Sequence, residues 1–444
     1  MNIILGYSEN YDINYLARMV DIKEFENHPN ADSLKIAKVF GFQVIVGKDC
    51  TPGTYIYFPV GSQISQEMIS WLNLFKDSSR NRNQEIRGTF ENSGKVKIIQ
   101  LRGQISEGYL ISKSELYEWF FSIKPGYDKV DENRKAFDVI KLGPDEIQVC
   151  KKYSSKKVVL KKIHHRGNIP GRLHNLIPED QFRFHYETEQ LKYNPQAIKP
   201  RTWIWITKKV DGTSGISARI LVNRKWWEFW KPKRSYKNIY ASSSVIKSKE
   251  FNLQAGPGWY GVDLWKYADS YVKNFIESGM TLYYEIVGYL PDGRFIQKNN
   301  DFGCIKPESP NKYEANLNFR VLVYRVTITT ENGIVFELNP DQVDKWCKMV
   351  GLESVRLLYS GYAKDLYSDL DINIDNWSEY FLERLKNDKN LGMETLDSEC
   401  KNEVPQEGII IRVDERAYKV KTILHLKHKE KWEEENYIDP EDVS

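Results

Sequence analysis

A strand–turn–strand centred on Lys209-Val210-Asp211-Gly212-Thr213-Ser214 constrains this chain more than any other feature. Trp203-Ile204-Trp205-Ile206 enters the turn, and Gly215 to Val222 leaves it. Side chains alternate along a strand, so Lys208 and Lys209 point to opposite faces. Lys209, two residues before Asp-Gly, can present an amine at the mouth of the turn. Alone the signal is weak, since Lys-x-Asp-Gly arises by chance in roughly one in ten chains of this length. It gains weight from three further segments in a fixed order along the chain. Tyr284-Glu285-Ile286-Val287-Gly288 comes next, then Glu407-Gly408-Ile409-Ile410-Ile411-Arg412, then Tyr418-Lys419-Val420-Lys421.

The 444 residues suffice for two or three domains. A formal net charge of +3 excludes a uniformly basic coat for nucleic acid but permits a local basic groove. Five scattered cysteines without a Cys-x-x-Cys pair indicate neither a zinc site nor a disulfide framework. The N-terminus lacks a basic segment followed by a long apolar run, and no apolar stretch is long enough for a membrane span. The expectation is a soluble cytoplasmic protein, monomeric, with no protein partner indicated.

The first third reads as β-structure. Alternating segments at 16–22 and 33–39, then 42–47, 55–59 and 95–99, are separated by turn signals such as Asp49-Cys50-Thr51-Pro52-Gly53. That spacing predicts a small barrel over residues 1–143. His28 is expected as a hydrogen-bonded turn residue. Residues 144–172 form a basic linker with Lys151, Lys152, Lys156, Lys157, Lys161, Lys162, His164, His165, Arg166 and Arg172. It reads either as a solvated connection or as a phosphate-tracking strip. Over 173–444 strands alternate with helices. Asp263, Asn339-Pro340 and the Trp377, Phe381, Leu382, Leu385 stripe mark three helices, and Lys427 to Glu435 reads as an exposed helix end. Trp226-Trp227-Glu228-Phe229-Trp230-Lys231-Pro232-Lys233-Arg234 mixes rings with cations. Such a segment can stack bases and bind phosphates, or can be an ordinary hairpin with partly buried rings.

Nucleophilic lysine chemistry requires a neutral amine. Lowering a lysine pKa from about 10.4 by three units takes about 4 kcal/mol against the ammonium form. One cation about 4 Å away at an effective dielectric of ~20 supplies roughly that much. Carboxylates at Asp211, Glu285 and Glu407 can hold a hydrated Mg²⁺ or Mn²⁺. Lys419 and Lys421, two apart on a strand, share a face and can grip a phosphate.

This ordered set resembles the motifs of the covalent nucleotidyltransferases: polynucleotide ligases and mRNA capping enzymes. With a barrel-like segment before Lys209 and little chain after Lys421, the layout resembles the RNA ligase family typified by the Deinococcus enzyme. HPNADSLKIAKV at His28–Val39, VKIIQLRGQISEGYL at Val96–Leu110 and YYEIVGYLPDGRFIQKNNDFGC at Tyr283–Cys304 carry that likeness. The resemblance implies an α+β chain: an N-terminal OB-fold β-barrel, then a nucleotidyltransferase domain of ATP-grasp-like antiparallel sheets with flanking helices. It implies an ATP-dependent ligase that joins 3′-hydroxyl and 5′-phosphate ends of RNA, or of an RNA-containing nicked duplex, in RNA repair. Lys209 would become adenylylated and pass AMP to the 5′ end. Lys209, Asp211, Glu285, Glu407, Lys419 and Lys421 are then catalytic. Asp211, Glu285 and Glu407 bind the metal, and Lys208, Gly212, Tyr324, Lys419 and Lys421 bind the nucleotide. The chain departs from the family at three places: Lys208 stands where Glu is common, Arg325 where Asp is common, and Ser242-Ser243-Ser244 contains no Arg. Two alternatives stay open: a GTP-using capping-type transferase, and an RNA-binding protein with an inactive transferase domain.

Overall fold

Alternating apolar residues build antiparallel sheets in both halves of the chain. The computed structural model describes residues 3–127, 129–154, 176–185, 188–252, 255–435 and 437. The basic residues expected between Lys156 and Arg172 lie outside the described residues. The chain divides into two compact units, Met1–Ser154 with Glu189–Pro195 and Ser155–Thr188 with Gln196–Ser444. Among the described residues no helix is long and apolar enough to cross a membrane.

In the first unit the main strands are β1 (Ile3–Gly6), β2 (Ala17–Ile22), β3 (Leu34–Val39), β4 (Phe42–Gly47), β5 (Gly53–Phe58), β6 (Tyr109–Ser112), β7 (Val139–Leu142) and β8 (Asp145–Gln148). Neighbours pair antiparallel as β6–β5–β2, β1–β7–β8 and β3–β4. Strand β5 is buried on both faces. Ile56 and Phe58 join one apolar cluster with β1, β7 and helix α1 (Lys113–Ile123), while Tyr55 and Tyr57 join a second with β3 and β4. Helix α1 starts at a capping box between Ser112 and Glu115 and buries Leu116, Trp119 and Phe120. The strands expected at 16–22, 33–39, 42–47 and 55–59 form with shifts of a residue or two. The strand expected at 95–99 does not. Lys95 and Val96 make only an isolated bridge to the start of the short strand Ser62–Ile64, through Gly61 and Ser62, and the ladder begins only at Ile99. His28 is the expected turn residue, buried and bonded to the Leu101 carbonyl at 3.1 Å and the Asn30 amide at 3.1 Å.

The second unit holds two sheets. They are built from β9 (Trp203–Lys209), β10 (Thr213–Asn223), β11 (Arg234–Ser242), β12 (Met280–Gly288), β13 (Phe319–Thr329), β14 (Val335–Glu337), β15 (Leu357–Tyr362), β16 (Gly408–Val413) and β17 (Arg416–Lys421). The order is β17–β16–β9–β15 in the first sheet and β11–β10–β12–β13–β14 in the second. Helices α2 (Leu264–Val272) and α3 (Pro340–Val350) cover the second sheet, packing Leu264, Trp265, Ala268, Val343 and Cys347 on Leu282, Tyr284 and Val323. Asp263 and Asn339 cap these helices as expected, and Gly351 at φ 79° ends α3. Helix α4 (Trp377–Lys386) forms where its stripe predicts. Helix α5 (Ile423–Glu434) is longer than the exposed end expected at 427–435, and it buries His425 and Trp432.

Several long-range polar contacts tie Glu189–Pro195 into the first unit, among them a buried ion pair. Lys192, 2% exposed at its side chain, pairs with Glu107 at 6%, above the Phe42 ring. Removing one member of a buried pair leaves an uncompensated charge, which costs about 3–5 kcal/mol. Lys192→Ala is expected to lower the stability of this unit by that amount in chemical denaturation. A shift under about 1 kcal/mol would refute the assignment.

Candidate functional site

Strand β9 determines where the motif lysines go. Its burial alternates, with Ile204, Ile206 and Lys208 buried on one face. Lys208 Nζ meets Asp397 Oδ1 at 2.6 Å and Glu399 Oε1 at 2.9 Å, with the Phe302 ring 5.3 Å away. Lys208, expected at the nucleotide, lines the cavity described below, while its ammonium is committed to a buried carboxylate pair. Burial opposes ionisation of Glu399, but Lys208 and Arg320 outweigh it and hold the carboxyl below its ordinary value.

Lys209 belongs to the other face. Its Nζ lies 2.9 Å from Glu407 Oε2, and Lys421 Nζ lies 2.8 Å from Glu407 Oε1. Sheet register explains this. Lys209 is opposite Gly408 on one side, and Lys421 is opposite Gly408 on the other. Lysines on the two strands either side of β16 therefore flank the residue beside Glu407, each one strand spacing of about 4.8 Å away. Gly408 has φ 149°, and a Cβ there would stand 2.1 Å from the Val420 carbonyl oxygen, so only glycine permits this close strand approach. Lys419 is opposite Ile410 and two residues from Lys421, so the two lysines share a face as expected.

The Asp-Gly turn is clamped from the segment after β12. Asn300 Nδ2 donates to the Asp211 carbonyl at 3.1 Å and to Asp211 Oδ2 at 3.0 Å, and Gln297 Nε2 donates to the Gly212 carbonyl at 3.0 Å. A Cβ at Gly212 would meet the Ile286 carbonyl oxygen at 2.8 Å, so the turn packs directly on β12. Helix α5 supplies two groups that sequence reasoning missed. Lys429 Nζ sits 3.2 Å from Asp211 Oδ1, and His425 Nε2 lies 3.9 Å from Glu407 Oε1. Residues four apart share a helix face, which is why one helix reaches both carboxylates. Burial disfavours charge on Glu407, but Lys209 and Lys421, followed by His425 and Lys429, hold its carboxyl well below the usual range. Burial pushes the His425 imidazole well below its ordinary value, against the pull of Glu407.

Ligand atoms of Asp211, Glu407 and His425 all lie within 4.8 Å of one another, and all three residues are buried. Two carboxylates and a neutral imidazole suit Mn²⁺, and the carboxylates also suit Mg²⁺. The metal trio expected from sequence was Asp211, Glu285 and Glu407. The structure groups His425 with Asp211 and Glu407 instead. Glu285 accepts a hydrogen bond from Ser214 Oγ at 2.7 Å and lines a neighbouring cavity.

That cavity, about 110 Å³, lies between the two sheets of the second unit and is walled by Lys209, Glu285, Tyr324, Arg325, Ile410 and Arg412 among others. Tyr324, the ring expected against a base, lies on its wall. His185 Nδ1 is 3.2 Å from its hydroxyl, and burial first, then the Glu285 charge, raises the phenol well above its ordinary value. Arg325 stacks on the Tyr283 ring at 4.6 Å and meets Glu337 at 2.7 Å, while Arg412 meets Glu337 at 2.9 Å. Ser242, by contrast, is the buried last residue of β11, bonded to Val245.

No protein-family model and no curated protein sequence matches the chain. Solved structures do match in fold. A mutant of Naegleria gruberi RNA ligase with ATP and Mn superimposes at a TM-score of 0.55 and 15% identity, covering 94% of this chain and 99% of that one. The same enzyme with PPi matches at 0.52 and 14%, with the same coverage. A mutant with AMP and Mn matches at 0.52 and 14%, covering 93% of this chain and 98% of that one. The chain thus has the α+β fold of an RNA ligase along nearly its whole length.

The Lys208 network sets a pH dependence. The Glu399 carboxyl is held below its unfolded value, so its stabilisation is complete above that value, near pH 4.3, and is lost as pH falls through the lower folded value. Charged hydrogen bonds contribute about 1.5–3 kcal/mol. Glu399→Gln is expected to cost roughly that at pH 7. The difference from wild type should shrink steadily below about pH 4. Urea unfolding of both proteins from pH 7 to pH 3 reads the effect; a gap that stays constant with pH would contradict it.

Proposed function

We propose that this chain is an ATP-dependent RNA ligase that joins a 3′-hydroxyl to a 5′-phosphate. The carrying observation is Lys209 Nζ set 2.9 Å from a buried Glu407 carboxylate, at the edge of a cavity walled by Glu285 and Tyr324. The likeness to RNA ligase structures described with ATP, AMP and Mn supports the same reading.

In this reading the second unit is the transferase domain expected over 173–444. The first unit, Met1–Ser154 with Glu189–Pro195, is an OB-like module that engages RNA; it takes in 144–154, expected as linker, and 189–195, expected within the transferase domain. Its order in the chain favours the family typified by the Deinococcus RNA ligase. ATP is a substrate. The Lys209 nitrogen forms a bond to the α-phosphorus, the bond from that phosphorus to the bridging oxygen breaks, and pyrophosphate leaves with the electron pair. The amine must first give up its proton. Lys421, on the far side of Glu407, disfavours a second nearby ammonium by like-charge repulsion. Tyr324 and the apolar wall at Ile410 and Val355 accommodate a flat base. Lys419 and Lys421 offer cations to the phosphates, and burial strengthens that attraction by excluding water. Asp211, Glu407 and His425 are the residues that would hold a divalent ion. Such an ion would neutralise triphosphate charge and disfavour the ammonium form of Lys209. Arg325 and Arg412, joined through Glu337, keep the cavity wall rigid.

AMP then passes to a 5′-phosphate, the P–N bond breaking as a P–O bond forms. Attack by a 3′-hydroxyl on that activated phosphorus releases AMP and leaves a phosphodiester. The cluster of basic and acidic groups retained around Lys209 supports a working transferase over an inactive one. Choice of ATP over GTP rests on the ligase likeness and is read directly by comparing the two labelled nucleotides.

Incubation with α-labelled ATP and Mn²⁺ is expected to give a covalent AMP adduct that Lys209→Ala lacks. Lys419→Ala should reduce adduct formation by at least about tenfold with unchanged thermal unfolding, as expected for one charged contact worth about 1.4 kcal/mol or more. An undiminished adduct in Lys209→Ala would overturn the nucleophile assignment. Undiminished formation in Lys419→Ala would overturn its phosphate role.

A further inference from the structure

The hairpin joining β10 to β11 ends in residues 224–233, where the sequence mixes rings and cations. An ordinary hairpin would fold its rings onto the sheet. Here Trp226 is 86% exposed, Phe229 74%, Trp230 66% and Trp227 49%. The backbone around them is nonetheless well organised. Arg224 donates to the Phe229 carbonyl at 2.6 Å and also to that of Lys231, and the Arg224 amide bonds the Lys233 carbonyl at 3.0 Å. Glu228 accepts from the Lys225 amide at 3.3 Å and pairs with Lys231 at 2.6 Å. Polar bonds close the tip while the rings point outward in two edge-to-face pairs, Trp226 with Trp227 and Phe229 with Trp230. Water-exposed indoles held away from the core are costly unless a partner covers them.

Charge identifies that partner. Between residues 224 and 237 the chain carries six cations, Arg224, Lys225, Lys231, Lys233, Arg234 and Lys237, against one anion, Glu228. Lys231, Lys233, Arg234 and Lys237 are exposed. Flat rings interleaved with cations match the alternation of bases and phosphates in an unpaired strand. A duplex hides its base faces and leaves such rings without a role. We propose that this tip is a docking site for single-stranded RNA, separate from the Lys209 cavity. It rests on the ligase reading for the choice of RNA over other polyanions.

The separation follows from strand length. Strand β10 starts at Thr213, beside the Asp-Gly turn, and runs eleven residues to Asn223. Ten steps of about 3.3 Å put the tip about 33 Å along the strand from that turn. The tip thus contacts substrate far from the reacting atoms, and it governs affinity for RNA while leaving lysine adenylylation alone.

The test uses the full chain and three variants: Trp226→Ala/Trp230→Ala, Trp226→Phe/Trp230→Phe, and Lys225→Ala/Lys233→Ala. Binding of a labelled single-stranded RNA of about 20 nucleotides, longer than one binding site, and of a matching duplex is followed by fluorescence anisotropy across a salt series. The alanine pair of ring variants should lose single-strand affinity about tenfold or more, and duplex affinity much less. The phenylalanine pair should retain most of it, because a flat ring remains. The lysine pair should lower the salt slope by about 1.4, at roughly 0.7 per phosphate contact on a single strand. Unchanged single-strand affinity in the ring-to-alanine variant, or equal losses on duplex and single strand, would overturn the proposal. So would wild-type binding to phosphatidylserine vesicles, or self-association, that the same variant abolishes while its RNA affinity stays intact. Adduct formation from labelled ATP, measured in the same preparations, reads the Lys209 site independently. An unchanged adduct in the ring variants supports a separate site; a wild type that binds RNA through the tip yet forms no adduct removes the ligase reading and leaves the tip standing.

Discussion

The second unit is organised around one buried carboxylate. Glu407 is 1% exposed at its side chain, and an isolated charge there would be prohibitively costly. It stays ionised because Lys209 and Lys421 reach it from two different strands. The same contacts bring distant segments together, since Lys209 and Glu407 are 198 residues apart in sequence. A hydrophobic residue at 407 would pack as well and leave Lys209 and Lys421 repelling one another across a dry gap. The carboxylate therefore fixes where both amines sit.

Strand alternation does the sorting. Two adjacent lysines meet two separate acid sets on opposite faces of β9: Lys208 with Asp397 and Glu399, Lys209 with Glu407. The Lys208 set fastens β9 to the loop at 397–402, which in turn bonds the segment after β12 through Asp301, acceptor to the Lys401 amide at 3.0 Å and the Asn402 amide at 3.1 Å. That segment also carries Asn300 and Gln297, which clamp the Asp-Gly turn. The buried pair on the inner face thereby limits how far the turn on the outer face can move. Positioning to within fractions of an ångström is what near-attack geometry demands.

Much of this was legible before any coordinates. Period-two alternation identified β2 and β3, and capping residues identified α2 and α3, because local sequence alone determines those elements. The placement of Lys209, Asp211, Glu407 and Lys421 in one cluster was also anticipated, from motif order. The contribution of α5 was not. Its residues are charged on every side, so no apolar stripe marks an inward face, and Lys427 to Glu435 looks wholly solvated. The inward face carries His425, Lys429 and Trp432, a polar stripe that only makes sense once Glu407 and Asp211 are beneath it. The strand expected at 95–99 failed for a similar reason: Val96 and Ile98 are buried, but the partner strand Ser62–Ile64 is too short to support a full ladder, and no local pattern announces that.

Lys208 shows how the chain departs from its resemblance and stays coherent. A lysine next to Lys209 would crowd a second positive charge against that amine if both side chains shared a face. Its strand parity sends that charge to the other face, where two carboxylates and the Phe302 ring absorb it. Arg325 follows the same logic, since Glu337 lies 2.7 Å away and the Tyr283 ring stacks beneath. Each substitution of charge comes with its own counter-charge from the same unit. Local electroneutrality on both faces of β9 is therefore kept through residues of the same unit, and the Lys209 face holds Lys209 and Lys421 around Glu407.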